Sequence, residues 1–422
     1  MNRSPFQRLR DGVAGLAYGN PLYAFMLSGP APVALAVAPP DPWPGDAAAG
    51  QELLRGVARF AGKAYPLDPR LPGCWTPSGA GPRGLAAAHG FDWLRDLRAM
   101  GGDDGRRMAR ALIALWMDEF GSWNQATWTP AGLGRRISNW IGLHDFYCAS
   151  ADDEFRARVF DSLARQTRLL ARILPGGAAG VDFIVALKGL VYSAVCLGGR
   201  TSDADDVLKT LIRELPQQIL PDGGHVERCP TVQLEVLRHL IDIRAVLRVG
   251  RGDTPEALQH AIDRMTPALR FFRHGDGGLA LFNGGREGDA ALIDTVLTQA
   301  DARGRPLKSA THTGFERLIA GRTLALMDVG VPAAAGFDAT AAAGTLALEV
   351  SVGKERLIVN CGAHPSQSGA WRQALAATAA HSTVTIADTH SSDVLTDGGL
   401  GRRPGLVPGE RRELEAGAVL VV

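Results

Sequence analysis

Cysteine is scarce in this sequence. The 422 residues hold five, Cys74, Cys148, Cys196, Cys229 and Cys361, odd in number, far apart and with no CxxC pair. That spacing argues against a disulfide framework and against a thiolate zinc site. Net charge is nearly absent too, at +1, so no bulk field draws in nucleic acid or an anionic membrane. Arginine is abundant and lysine scarce, which leaves room for a local basic groove. No GxxxxGK[ST], GxSxG or HExxH pattern occurs, so phosphate-loop, serine-elbow and zincin chemistry have no support. Uninterrupted apolar runs are also missing. Residues 22–38 are apolar but carry Gly29, Pro30 and Pro32, which argues against an integral membrane segment. The first twenty residues are basic and lack a signal-peptide core with its small-residue cleavage site. The expected location is therefore the cytoplasm.

Hydrophobic residues make up 46% and charged residues 21%, a globular balance, and the length favours two or three domains. Residues 1–50 read as an irregular arm rich in Pro, Ala and Gly, with a short strand near Pro32–Ala38. Residues 51–275 show helical periodicity in segment after segment, among them DDGRRMARALIALWMDEFG and DDEFRARVFDSLARQTRLLARIL. Near residue 276 the texture changes. GGLALFNGG, TLALMDVG, GTLALEVSVGKERLIVNCG, HSTVTIAD and AGAVLVV are short β-type runs between Gly, Asn and Asp. Helices followed by strands predict separate layers or domains, not a parallel α/β sheet. The expected fold class is α+β multidomain, with an antiparallel sheet domain over 276–422. The last run ends in mid-strand, so it is expected either to be covered or to continue further.

Four clusters could carry chemistry. In residues 123–147, Trp123, Trp128 and Trp140 surround Arg135, Arg136 and Asn139. Indoles beside guanidiniums suit an acidic sugar, and equally suit a helical core with a basic face. In PDGGHVERCPTVQLEVLRHL, His225 and Glu227 alternate after an Asp-Gly-Gly turn and before a helix opened by Pro230. They read as a site wall or as an ordered loop. RFFRHGDGGLALFNGGREGD gathers Arg273, His274 and Asn283 among six glycines, where a helix gives way to β structure. His381 opens the HSTVTIAD run. A second group, His89 with Asp92 near a helix start, reads mainly as a capped helix.

The order of these segments resembles the heparinase II/III-like family of polysaccharide lyases. HGFDWLRDLRAMGG, WTPAGLGRRISNWI, ALKGLVY, LPDGGHVERCPTVQLEVLRHLIDIR, RFFRHGDGGLALFNGG, GTLALEVSVGKERLIVNCG and AAHSTVTIADT carry the resemblance, across roughly residues 84–392. It implies an incomplete (α/α) toroid over 51–275 followed by a sandwich-like antiparallel sheet domain. It also implies β-elimination on a uronate-containing, heparin-like or other acidic glycan held in a cleft between the domains. That reaction needs the carboxylate neutralised, a base for the C5 proton and an acid for the leaving oxygen. The resemblance assigns His225 and Glu227 to the uronate-facing loop, and Arg135 or Arg136 to the basic helix position. It assigns His381 to the sheet domain.

The sequence departs from the family pattern in three places. The last tyrosine is Tyr192, so none follows the His225 loop, where the family base lies; Phe271 or Phe272 stands in that region. Ala341, Ala342 and Ala343 precede Gly344 where the family has histidines and an aspartate, and Asn360 replaces a carboxylate. No metal and no cofactor are therefore expected. His274 is the remaining candidate for proton transfer. The expected catalytic set is His225, Glu227 and His274. The expected substrate contacts are Trp128, Arg135, Arg136, Asn139, Arg273, Asn283 and His381. The competing reading is a non-catalytic protein that binds a glycan or envelope polymer on a degenerate lyase scaffold. Periplasmic location follows from the resemblance, against the cytoplasmic default.

Overall fold

A computed structural model describes residues 18, 20–60, 62–174, 176–198, 201–364, 369–396, 398–405, 407, 409–414 and 417–421. The chain divides into two compact units. One comprises Met1–Leu211 with Asp242–Thr254; the other comprises Ile212–Ile241 with Pro255–Val422.

The first unit is helical. Helix α1 spans Pro21–Leu27 and α2 Ala47–Leu54. Strands β1 (Val57–Phe60) and β2 (Lys63–Pro66) form a small antiparallel ribbon. Helices α3 (Pro82–Gly90), α4 (Leu94–Met100), α5 (Gly102–Phe120), α6 (Pro130–Gly142), α7 (His144–Cys148), α8 (Asp153–Ile173) and α9 (Gly180–Cys196) follow. The strand expected at Pro32–Ala38 does not form. Pro30 and Pro32 remove backbone donors, and the segment runs as irregular backbone. His89, expected near a helix start, sits in the last turn of α3.

Start signals set the longer helices. The Thr129 side chain accepts from Gly132 N with Pro130 at the first helical position, and Asp152 accepts from Phe155 N. The core is aromatic. Phe91, Trp116 and Trp140 pack edge-to-face, with centroids 5.2–5.9 Å apart. Helices α6 and α9 touch through glycine. A Cβ on Gly134 would collide with the Val185 carbonyl, and one on Gly189 would lie 2.5 Å from Gly134 Cα. Only residues without a side chain allow that approach.

Helices α10 (Thr201–Gln218) and α11 (Pro230–Arg251) run through the boundary of the two units. The second unit adds α12 (Glu256–Phe271) and α13 (Ala290–Ala300). Then come β3 (Ser309–Ala310), β4 (Phe315–Ala320), β5 (Thr323–Asp328), β6 (Leu348–Val352) and β7 (Glu355–Ile358). These five form one antiparallel sheet in sequence order. Helix α14 (Gly369–Ala376) precedes a final ribbon of β8 (Glu410–Leu414) and β9 (Gly417–Val421). Two expected strands are absent. GGLALFNGG forms a single bridge, Arg273–Leu279, and then a 3-10 turn in which Asn283 has φ 49°. HSTVTIAD contributes only the Ile386–Thr389 bridge. Conversely α13 forms inside the strand-rich stretch, because Asp289 caps Ala291 N and Ile293 and Val296 share a buried face.

Candidate functional site

The PDGG turn is built as its sequence reads. Gly223 has φ 83°, and Asp222 Oδ1 accepts from Gly224 N at 3.1 Å. The same carboxylate also reaches across the sequence: Oδ2 accepts from His312 N and Thr313 N at 2.8 and 2.7 Å, and Oδ1 from Thr313 Oγ1 at 2.7 Å. This tether points His225 inward. The residue is 1% exposed. Its Nδ1 accepts from Glu227 N at 3.2 Å, so the proton sits on Nε2, which donates to Gln218 Oε1 at 3.2 Å. Its backbone N–H donates to Gln233 Oε1 at 2.7 Å. Burial, with no adjacent acid strong enough to offset it, pushes the ring down to about 4. Glu227 is buried beside it.

Arg228 continues the loop in left-handed backbone at φ 57°. Its guanidinium donates to Thr313 O at 2.7 Å and Gly314 O at 3.1 Å, pairs with Asp328 on β5, and lies 4.7 Å over Phe315. Burial raises the Asp328 carboxyl above its ordinary value despite that cation. Asn283 Nδ2 donates to the Arg228 carbonyl at 3.1 Å. Asn283 is therefore an anchor of the loop.

His274 is enclosed as well, with a side chain 0% exposed. Its Nδ1 meets Ser351 Oγ and its Nε2 meets Glu349 Oε2, both at 2.9 Å. Glu349 Oε1 further accepts from Leu281 N and Asn360 Nδ2, each at 2.9 Å. Glu349 is missing from the expected set, although the sequence carried its signal. In LEVSV, Glu349 and Ser351 occupy the alternate, inward positions of a strand, where a carboxylate requires partners. His381 is buried against Gly344, with no hydrogen-bond partner at Nε2 among the described residues, and burial pushes it to about 4. Arg273 is half-buried, donating to Gly277 O at 2.8 Å and pairing with Asp294 at 2.7 Å. Among the described residues no three His, Cys, Asp or Glu side chains are grouped to hold a metal.

In the first unit three of the four expected substrate contacts lie in the core. Trp128 Nε1 donates to Phe120 O. Arg136 is fully buried, with no carboxylate paired to it among the described residues. It stacks 4.2 Å over Trp116 and donates to Gln166, His89 O and Thr127 O. Burial pushes its pKa down to about 9. Asn139 bridges Gly90 O, Asp92 and Arg95. Only Arg135 remains half-exposed, 3.7 Å from Asp92.

Residues 302–422 match the family described as "Heparinase II/III-like, C-terminal". A crystal structure of heparinase III aligns with 80% of the chain at a TM-score of 0.62 and 12% identity. Over residues 302–422 the chain is heparinase II/III-like. Its fold is the expected incomplete (α/α) toroid followed by antiparallel sheet. A heparan sulfate lyase from Pedobacter heparinus aligns with 87% of the chain, at a TM-score of 0.50 and 13% identity. At such identities the likeness is one of fold. Among curated proteins, the FtsZ-localized protein C of Caulobacter vibrioides is 35% identical over 379 residues, 88% of the chain. The chain spans 64% of that relative, 59% of the heparinase III chain and 62% of the heparan sulfate lyase chain.

Proposed function

We propose that this chain is a non-catalytic protein on a polysaccharide-lyase scaffold, binding an acidic polymer without cutting it. The observation that carries this reading is the enclosure of both histidines of the expected catalytic set. His225 and His274 each have both ring nitrogens engaged inside the protein. A general base must reach the proton it removes, directly or through one water, and neither ring has a free nitrogen to do so. With no tyrosine beyond Tyr192, β-elimination lacks its usual base as well. The lyase fold and the half-exposed Arg135 and Arg273 support recognition of an anionic sugar.

The test reads two quantities from one sample: retention on immobilised uronate polymers and ultraviolet absorbance of unsaturated uronate. Retention with flat absorbance is expected. A rise in absorbance would restore β-elimination as the function. The relative's name places that protein with FtsZ, and we carry the location over as part of this reading, in keeping with the expected cytoplasmic placement. No helix among the described residues is long and apolar enough to cross a membrane. A fluorescent fusion gathering with FtsZ supports the placement; export to the periplasm would contradict it.

A further inference from the structure

The second unit contains a concave pocket of about 500 Å³ at the C-terminal end of α12. Three guanidiniums line it: Arg270, Arg273 and Arg317. Two carboxylates line it too, but each is already matched. Asp294 pairs with Arg273 at 2.7 Å, and Asp276 takes Arg356 Nε at 2.7 Å. Among the described residues Arg270 donates only to the carbonyls of Ala302 and Gly304. Arg317 has no side-chain hydrogen bond or ion pair among the described residues, and its Nε is buried. On β4 it shares a face with Phe315, which packs against Phe272. Strand alternation thus holds the guanidinium on the covered side of the sheet. Burial there lowers its pKa below the ordinary value.

A half-buried cation with no acidic partner is costly unless something supplies the charge. Two such cations beside one concave surface match the fork geometry of an oxyanion. We propose that this pocket is an oxyanion-binding site, taking a sulfate, phosphate or carboxylate group of a small ligand, with Arg317 and Arg270 as its charge partners. The proposal goes beyond the polymer-binding reading and does not require it.

The test is thermal unfolding and calorimetric titration of the whole chain with sodium sulfate, sodium phosphate and sodium glucuronate, against sodium chloride at matched ionic strength. A saturable rise in melting temperature is expected with at least one oxyanion. Whichever anion binds names the group: glucuronate the carboxylate, sulfate or phosphate the tetrahedral ion. Arg317→Gln should weaken binding about tenfold or more, roughly the loss of one charge-assisted contact. Arg317→Lys should recover part of it, since charge returns without the fork. Arg106→Gln, on the exposed face of α5, should bind as the parent does. Removing an unpaired charge does not threaten the fold, and the ligand-free melting temperature of Arg317→Gln checks this. No saturable effect in the parent, or equal binding by a folded Arg317→Gln, would overturn the proposal. Sulfate binding without polymer retention would leave it standing and remove the polymer reading.

Discussion

Acidification from pH 7 to pH 5 should weaken both units. His89, His225 and His381 are buried, and burial pushes each ring to about 4 against 6.5 for a free imidazole. Charge from Arg136 adds to the effect at His89. Two of the rings are also held neutral by their bonds. Trp116 Nε1 donates to His89 Nδ1, and Glu227 N donates to His225 Nδ1, so neither nitrogen accepts a proton without losing a partner. For a base with a depressed folded value, the unfolded chain binds the proton first. Stability is therefore complete above about pH 6.5 and is lost as pH falls toward about 4. At pH 5 the loss is about 2 kcal/mol per ring, or about 6 kcal/mol for three. That is comparable to the whole stability of an ordinary domain, about 5–15 kcal/mol. Asp96 acts in the opposite sense. Burial raises it to about 6, so its protonation in the folded state recovers a fraction of the loss. Urea unfolding followed by circular dichroism at pH 7, 6 and 5 reads the sum. The midpoint should fall steadily. It should fall less for His225→Asn, whose side-chain oxygen can still accept from Glu227 N but has no ring to protonate. A flat or rising midpoint, or an unchanged slope in His225→Asn, would refute the reasoning.

Two further outcomes follow from buried contacts. Arg228→Met leaves Asp328 charged and unpaired in the second unit and should cost about 3–5 kcal/mol; urea unfolding of the single variant and of Arg228→Met with Asp328→Leu checks it, the double variant recovering most of the loss. Gly134→Ala forces α6 away from α9 and should cost about 1–3 kcal/mol, read as a lower melting temperature of the first unit; an unchanged value would mean the crossing tolerates a methyl group.

The order of helices and strands is legible because periodicity changes near residue 276. The turn before His225 is legible because Asp-Gly-Gly permits φ 83° at Gly223 and Pro230 opens α11. The enclosure of His225 is not, since the groups that engage its ring are the Gln218 amide and the Glu227 backbone N–H. Neutral amides leave no pattern in a sequence. The Trp and Arg block was ambiguous for a different reason. Arg136 between Trp116 and Trp128 satisfies a core as well as it would satisfy a sugar, because cation–π packing serves both. GGLALFNGG resembled a strand through its alternation, but Asn283 at φ 49° turns the backbone away from one.

The most direct test of binding without cleavage is a single-turnover reaction. The chain is placed in excess over a defined uronate oligosaccharide at neutral pH, and the products are read by mass spectrometry for loss of the leaving sugar and an unsaturated end. Bound, intact oligosaccharide is the expected result, with His225→Asn behaving as the parent. An unsaturated product that disappears in His225→Asn or on replacing His274 would contradict the proposal, and would mean that one of these enclosed rings opens to exchange a proton.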